Sequence, residues 1–249
     1  MDLYVGTSGY SYKEWKGTFY PDDLPPDEML QFYGRHFATV EINNTFYRMP
    51  KASVLEQWAS EVPNHFRFVL KASRRITHFQ KLKNCEDSIG YLLRTAAALK
   101  DRLGPLLFQT PPDFQRDSAT LQEFLQLLPS GGRYAFEFRH ASWFHDEVFG
   151  LLQKANASLC VADAENDLEI PMIATSDFGY FRLRRPDYGT DDFDRWIKRI
   201  SKKPWKETFV FFKHEEAGKG PEFARRFLKL VGQTGSENLV SVLPPRAAS

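Results

Sequence analysis

Cysteine is nearly absent: Cys85 and Cys160 are the only two in 249 residues, with no paired C-x-x-C spacing. That excludes a disulfide framework and a cysteine-rich zinc cage, and it points to a reducing compartment. Net charge is equally scarce, since 33 basic residues against 32 acidic ones leave +1. Without a global field, any attraction for nucleic acid or an anionic membrane must come from a local patch. No apolar run approaches the roughly 18 residues of a membrane span. The opening "MDLYVGTSGYSYKEW" lacks the basic stretch and long apolar core of a secretory leader. The expectation is a cytoplasmic protein with no membrane partner. The first apolar run is not followed by a G-x-G-x-x-G turn, which argues against a dinucleotide-binding sheet.

What the chain has in quantity is short apolar runs. Eight can be counted: "LYVG" (3–6), "TVEIN" (39–43), "RFVLK" (67–71), "LLFQ" (106–109), "YAFEFR" (134–139), "LCVAD" (159–163), "YFRLR" (180–184) and "FVFFK" (209–213). Amphipathic helical patterns alternate with them, which predicts βα units around a parallel sheet. Helix boundaries are marked by Pro25 and Pro26, by a Ser53/Glu56 capping box, by Gly104 after a helix near 88–103, and by Pro221 with Gly232 beyond it. With 42% hydrophobic residues, 22 of the 249 being Phe, the chain can fill a large core. Eight strands and seven or more helices at this length predict one α/β domain, a (β/α)8 TIM-barrel-like fold over residues 1–232, with an open doubly wound sheet as the runner-up. Residues 233–249 lack sustained periodicity and are expected to form a loosely ordered tail.

Alternate residues on a barrel strand face the lumen. On the second run Val40 and Ile42 would face the helices while Glu41 and Asn43 face inward; on the fifth, Phe136 and Phe138 face out while Glu137 and Arg139 face in. The same parity assigns Lys71, Gln109, Asp163, Arg182 and Lys213 to the lumen, each near the carboxyl end of its strand. Seven charges at one mouth would be a heavy desolvation cost in a balanced structural network alone, so they favour a functional pocket.

The segments "GTSGYSYKEWKGTFYP", "FATVEINNTFYRMP", "ITHFQKL", "GPLLFQTPPDF" and "YAFEFRHASWF" together resemble the YecE-like family, the domain of unknown function numbered seventy-two. The resemblance runs from about residue 2 to 231 and implies a TIM-barrel-like fold with a polar mouth and no established activity. Its characteristic positions fall here on Gly6, Ser8, Gly9, Trp15, Glu41, Asn43, Thr45, Tyr47, Lys71, Thr77, His78, Gln109, Pro111, Glu137, Arg139, His140 and Trp143. The chain departs from the family pattern in two places. Arg182-Leu183-Arg184-Arg185 stands where relatives carry Arg-x-His-Gly, and Lys213-His214 where they carry an Asn-Asn or Asn-Asp pair. Both departures make the mouth more basic.

Acid and base chemistry without a metal or cofactor fits these residues best. Glu41 and Glu137, on strands three apart, are the expected acid/base pair, one kept protonated by an apolar wall such as Trp143 and the other ionised beside Arg139 or Lys71. Lys71 is read either as an ion-pair partner or as an amine able to form a Schiff base. Asn43, Thr45, Gln109, His78, His140, Asp163, Arg182 and Lys213 are expected to bind substrate, with Tyr47 and Trp143 as stacking walls. No metal is expected, because Lys71, Arg139, Arg182 and Lys213 would oppose a dication. Gly218, Lys219 and Gly220 before a helix start, with Arg184 and Arg185 near them, are the expected anion site. The reading is a hydrolase, lyase or isomerase acting on a small anionic or sugar-like molecule. The alternatives are a nucleic-acid-binding or nucleic-acid-processing protein, drawn from "KASRRITH" and "FARRFLK", and a non-catalytic binding protein. Oligomeric state is not legible.

Overall fold

Strands that are covered on both faces carry continuous apolar runs, and each of the eight runs is such a strand. The computed structural model describes residues 1–164, 168–213, 218–233 and 239–242. Strands β1 (Asp2–Ser8), β2 (Thr39–Ile42), β3 (Arg67–Lys71), β4 (Leu103–Gln109), β5 (Tyr134–Glu137), β6 (Ser158–Asp163), β7 (Phe178–Leu183) and β8 (Glu207–Phe212) are all parallel. Each pairs with the next, and β8 pairs with β1 over Asp2–Thr7 to close the ring. Around it lie α1 (Met29–Gly34), α2 (Ala52–Glu61), α3 (Glu86–Ala96), α4 (Ser118–Gln126), α5 (Asp146–Lys154), α6 (Thr190–Ser201) and α7 (Lys219–Gln233). Among the described residues β6 and β7 are joined without a helix. The architecture is a closed (β/α)8 barrel.

Strand alternation splits the core in two. Val40, Ile42, Phe68, Leu70, Phe136 and Phe138 pack outward against the helices. Tyr4, Val69, Leu107, Ala135, Tyr180, Phe209 and Phe211 fill the lumen, with the Tyr4 and Phe209 rings stacked 4.8 Å apart. The helices present matching apolar stripes, such as Phe193, Trp196, Ile197 and Ile200 on α6. Helix α4 is capped by Asp117, which accepts from the Thr120 amide at 3.0 Å.

Four boundaries differ from the expectation. Ser53 does not cap α2, which begins at Ala52 once the chain leaves Pro50 and Lys51, so Ser53 lies inside the first turn. Gly104 is not a helix stop. Helix α3 ends at Ala96 and Gly104 lies in β4, where a Cβ would stand 3.1 Å from the Phe68 carbonyl oxygen of the neighbouring strand. Helix α7 starts at Lys219, before Pro221, and runs through Gly232. Within the expected tail, Leu239 is buried and Val240–Ser241 form a ninth strand, β9, parallel to β1. Residues 234–238 and 243–249 of that tail lie outside the described residues. β9 lies beside Asp2 and Leu3, below the point where β2 joins β1 at Gly6–Ser8.

Candidate functional site

The polar layer sits above the lumen aromatics, at the carboxyl ends of the strands. Arg182 of β7 lies between two glutamates: Nη2 donates to Glu41 Oε1 of β2 at 2.8 Å, and Nη1 donates to Glu137 Oε2 of β5 at 2.6 Å. All three side chains are at most 2% exposed. Glu41 also accepts from Ser8 Oγ at 2.7 Å and from the Tyr180 hydroxyl at 2.6 Å. Glu137 Oε1 accepts from Arg139 Nε at 3.2 Å and Arg184 Nη2 at 3.0 Å. Asn43 Oδ1 is a longer acceptor of Arg182 Nη2, at 3.4 Å.

This bonding surrounds both glutamates with cations and hydroxyls, where the expectation was an apolar wall that keeps one of them protonated. Burial alone would raise the Glu41 carboxyl, but the Arg182 guanidinium and the Tyr180 and Ser8 hydroxyls outweigh it and hold the group below its usual range. Burial of Glu137 is likewise outweighed by Arg182, Arg184 and Arg139, and its carboxyl is held well below the usual range. Both are carboxylates, neither is a proton donor, and a guanidinium stands between them where a glycosidic bond would have to lie.

Lys71 has a different environment. Its Nζ lies 4.0 Å above the Phe46 ring, and it has no carboxylate or other acceptor at bonding distance among the described residues. Burial lowers its pKa to about 8, with Arg182 adding to the shift and Glu41 and Glu137 opposing it. The His78 ring meets the same Phe46 ring edge-on at 4.9 Å, and its Nδ1 is 2.9 Å from Thr77 Oγ1. Desolvation, then Lys71 and Arg139, lower the His78 pKa. A single turn of π-helix, Arg75–Phe79, carries Thr77 and His78 over the end of β3. Thr45 is buried and its hydroxyl reaches the carbonyl oxygens of Ile42, at 2.9 Å, and Lys71, at 2.7 Å. These bonds position the end of β3. Three buried donors beside this group lack an acceptor: Asn43 Nδ2, Gln109 Nε2 and Arg182 Nε.

Other expected residues fall elsewhere. Trp143 is buried in the outer core, stacked on Phe138 at 4.5 Å with its indole N–H donating to the Phe114 carbonyl; it lies past the end of β5, where strand parity no longer applies. Asp163 faces outward, because Val161 belongs to the outer core and Cys160 to the lumen. Its Oδ2 accepts from Arg185 Nε and the Tyr188 hydroxyl, both at 3.1 Å. Arg185 also pairs with Asp192 at 2.9 Å, and Arg184 with Glu137, so carboxylates already engage both expected anion binders. His140 caps a short turn, its Nδ1 accepting from the Ser142 amide at 3.2 Å. Gly218 has φ +73°, and a Cβ there would meet Thr18 Oγ1 at 2.3 Å, so the glycine serves packing. Lys219 is exposed and Gly220 buried in the first turn of α7. Lys213 is exposed at the end of β8, its amide donating to the Leu183 carbonyl at 3.2 Å. Tyr47 is 68% exposed, with the Arg74 guanidinium 5.5 Å from its ring. His214 lies outside the described residues. Tyr180 and Phe46 were missed. Tyr180 shares the phase of Arg182 on β7 and was legible from that; Phe46, in a turn beyond β2, carried no periodic signal.

A closed parallel barrel with a buried Glu–Arg–Glu bridge beneath its carboxyl-end mouth is the class of protein that fold and site define. The chain belongs to the family described as "Protein of unknown function DUF72", whose model matches residues 4–248. It is similar to UPF0759 protein YecE of Escherichia coli, 32% identical over 143 residues that cover 57% of this chain and 50% of that protein. The chain thus spans about half the length of the YecE proteins it matches. UPF0759 protein YunF of Bacillus subtilis is 22% identical over 92% of this chain and 94% of its own length. A crystal structure of a DUF72 family protein from Thermotoga maritima superposes with a TM-score of 0.79 at 28% identity, covering 93% of this chain and 100% of that one. One from Enterococcus faecalis gives 0.77 at 20% identity, over 92% and 95%. The YecE-like resemblance carried by the sequence motifs therefore holds, and so does the barrel. Among the described residues no helix is long and apolar enough to cross a membrane.

Proposed function

We propose that the barrel mouth is the active site of a metal-independent enzyme acting on a small anionic molecule, with Lys71 as its proton-transfer group. The observation that carries this reading is the set of unsatisfied donors. Asn43 Nδ2, Gln109 Nε2 and Arg182 Nε are buried without acceptors in a layer whose carboxylates are saturated by their own partners, and Lys71 Nζ, which solvent still reaches, meets no acceptor at bonding distance either. Buried donors left unpaired cost stability, and an acceptor-rich ligand removes that cost. A carboxylate or phosphate supplies several acceptors at once and complements the nearby cations. An amine of pKa about 8 takes up and releases protons near neutrality, as a general base or acid must. A dication would instead have to displace guanidinium from Glu41 or Glu137.

The test is a thermal-shift titration with inorganic phosphate, malonate and a set of sugar phosphates, on the native chain and on Gln109→Leu. A saturable rise in Tm that Gln109→Leu reduces at least about tenfold in apparent affinity, the value of one lost charge-assisted hydrogen bond, supports the reading. Equal shifts in both proteins overturn it.

A second reading has its own observation. Tyr47 and Phe79 are 68% and 71% exposed, and the Arg74 guanidinium lies 5.5 and 5.4 Å from their rings. Such a surface can stack bases and meet phosphates. If a single-stranded oligonucleotide binds here, its affinity falls steeply with salt and Tyr47→Ala weakens it, whereas a ligand of the mouth responds far less to salt.

A further inference from the structure

We propose that Lys71 is a covalent nucleophile whose amine condenses, at the barrel mouth, with the carbonyl group of a small ligand that also carries a carboxylate or phosphate. The inference rests on the reading of the mouth as an anion site, gives Lys71 a covalent role in place of simple proton transfer, and adds the class of substrate, an anionic aldehyde or ketone.

The geometry separates this lysine from its neighbours. Lys83 and Lys206 are exposed and Lys81 is half-buried, and they face Asp117, Asp177 and Asp113 at 3.0, 3.1 and 2.7 Å. Lys71 is 9% exposed, rests its Nζ on the Phe46 ring at 4.0 Å and meets no carboxylate at bonding distance. A buried lysine kept for structure alone would be expected to have an ion-pair partner. Desolvation beside other cations, here Arg182 and Arg139, instead favours the neutral, nucleophilic amine. A pKa of about 8 leaves roughly a tenth of the amine unprotonated at pH 7, against less than about a thousandth for an exposed lysine. Thr45 fixes the backbone at the point of attack by holding the Lys71 carbonyl at 2.7 Å. The unpaired donors Asn43 Nδ2, Gln109 Nε2 and Arg182 Nε lie in the same layer, closed off from solvent in this structure, and meet a ligand's anionic group once that layer parts to admit it.

The step balances without a co-reactant. The Lys71 nitrogen adds to the carbonyl carbon, and the π pair moves to oxygen, which takes a proton. The carbinolamine then loses that oxygen as water, carrying away the two amine hydrogens as the C=N bond forms. Once its nitrogen takes up a proton from water, the imine is an electron sink for cleavage or proton abstraction at the adjacent carbon, so the chemistry is that of a lyase or isomerase.

Glyoxylate, the smallest anionic aldehyde, is the probe. The intact chain is incubated with glyoxylate and sodium cyanoborohydride at neutral pH, and peptide mapping locates the carboxymethyl-lysine that hydride reduction of the imine leaves behind. Lys71 is expected to react on the order of tenfold or more faster than Lys81 or Lys206, and Lys71→Met to remove that fast phase alone. Reaction of Lys71 no faster than the surface lysines overturns the proposal. Acetylation of Lys71 by acetic anhydride, with and without malonate, tests the underlying reading separately. Malonate protection without glyoxylate trapping leaves the anion site standing and sinks the imine. Equal trapping of glyoxylate and uncharged acetaldehyde, with no malonate protection, removes the anionic ligand class and the proposal with it.

Discussion

Arg182 is the residue on which the mouth depends. Its guanidinium neutralises Glu41 and Glu137 together, at 2.8 and 2.6 Å, with all three side chains out of water. Arg182→Met fills similar volume but takes from buried Glu41 its cationic partner, while Glu137 keeps Arg139 and Arg184, so the expected loss is about 3–5 kcal/mol, measured by urea unfolding. A loss below about 1 kcal/mol would mean that solvent reaches the pair. Glu41, Glu137, Lys71, Gln109 and Arg182 were all legible in the sequence, because alternation on a strand places polar residues opposite a known apolar face. Their bonding was not. Which carboxylate meets which cation depends on the strands that face each other across the ring, and β2, β5 and β7 are far apart in sequence. Asp163 was misread for a local reason: Cys160 and Val161 are both apolar, so "LCVAD" does not reveal its own phase.

At the scale of elements, the eight barrel strands were legible because burial on both faces makes them apolar throughout, whereas β9 was not. Two residues inside "ENLVSVLPP" give no period to detect. Yet the Val240 amide donates to the Met1 carbonyl at 2.9 Å, the Val242 amide to Leu3 at 3.1 Å, and Leu239 is buried against the helix layer. Deleting residues 239–249 is expected to cost roughly 2–4 kcal/mol, from one buried leucine and two backbone hydrogen bonds. The single change Val240→Pro, which removes one of those donors from an exposed position, should cost about 1 kcal/mol. Denaturant midpoints measure both. No change on deletion would mean that β9 is not held in solution. The capping box at Ser53 failed in the opposite sense, as a local pattern overridden by a helix whose N-cap is Lys51, two residues earlier than the pattern requires.

For the whole molecule, the titrating groups dictate how stability depends on pH. Glu41 and Glu137 have folded pKa values below their unfolded ones, and Asp117 and Asp192 are lowered to about 2. Groups of this kind stabilise the fold above their unfolded pKa of roughly 4, and that stability is lost as pH falls through the folded values. Lys71 has the opposite history: protonated in the fold it costs stability, and the cost fades as pH rises from about 8 towards the ordinary lysine range. Buried tyrosines oppose it from about pH 10, where the unfolded chain ionises first; Tyr10 is pushed up to about 12. Urea midpoints should therefore fall below pH 4.5, climb between about pH 8 and 10, and decline beyond. In Lys71→Met the climb should vanish and the protein should be more stable at pH 7. A climb that survives the substitution would assign it to another group. The Glu–Arg–Glu bridge has a further consequence for how such a barrel could arise or be divided. Glu41 belongs to the first four strands, while Glu137 and Arg182 belong to the last four. A fragment ending after β4 would hold Glu41 without the guanidinium that pairs with it, and its complement would hold Arg182 with one of its two carboxylate partners missing. The two halves of this ring are electrostatically incomplete alone, and each supplies the charge that lets the other close.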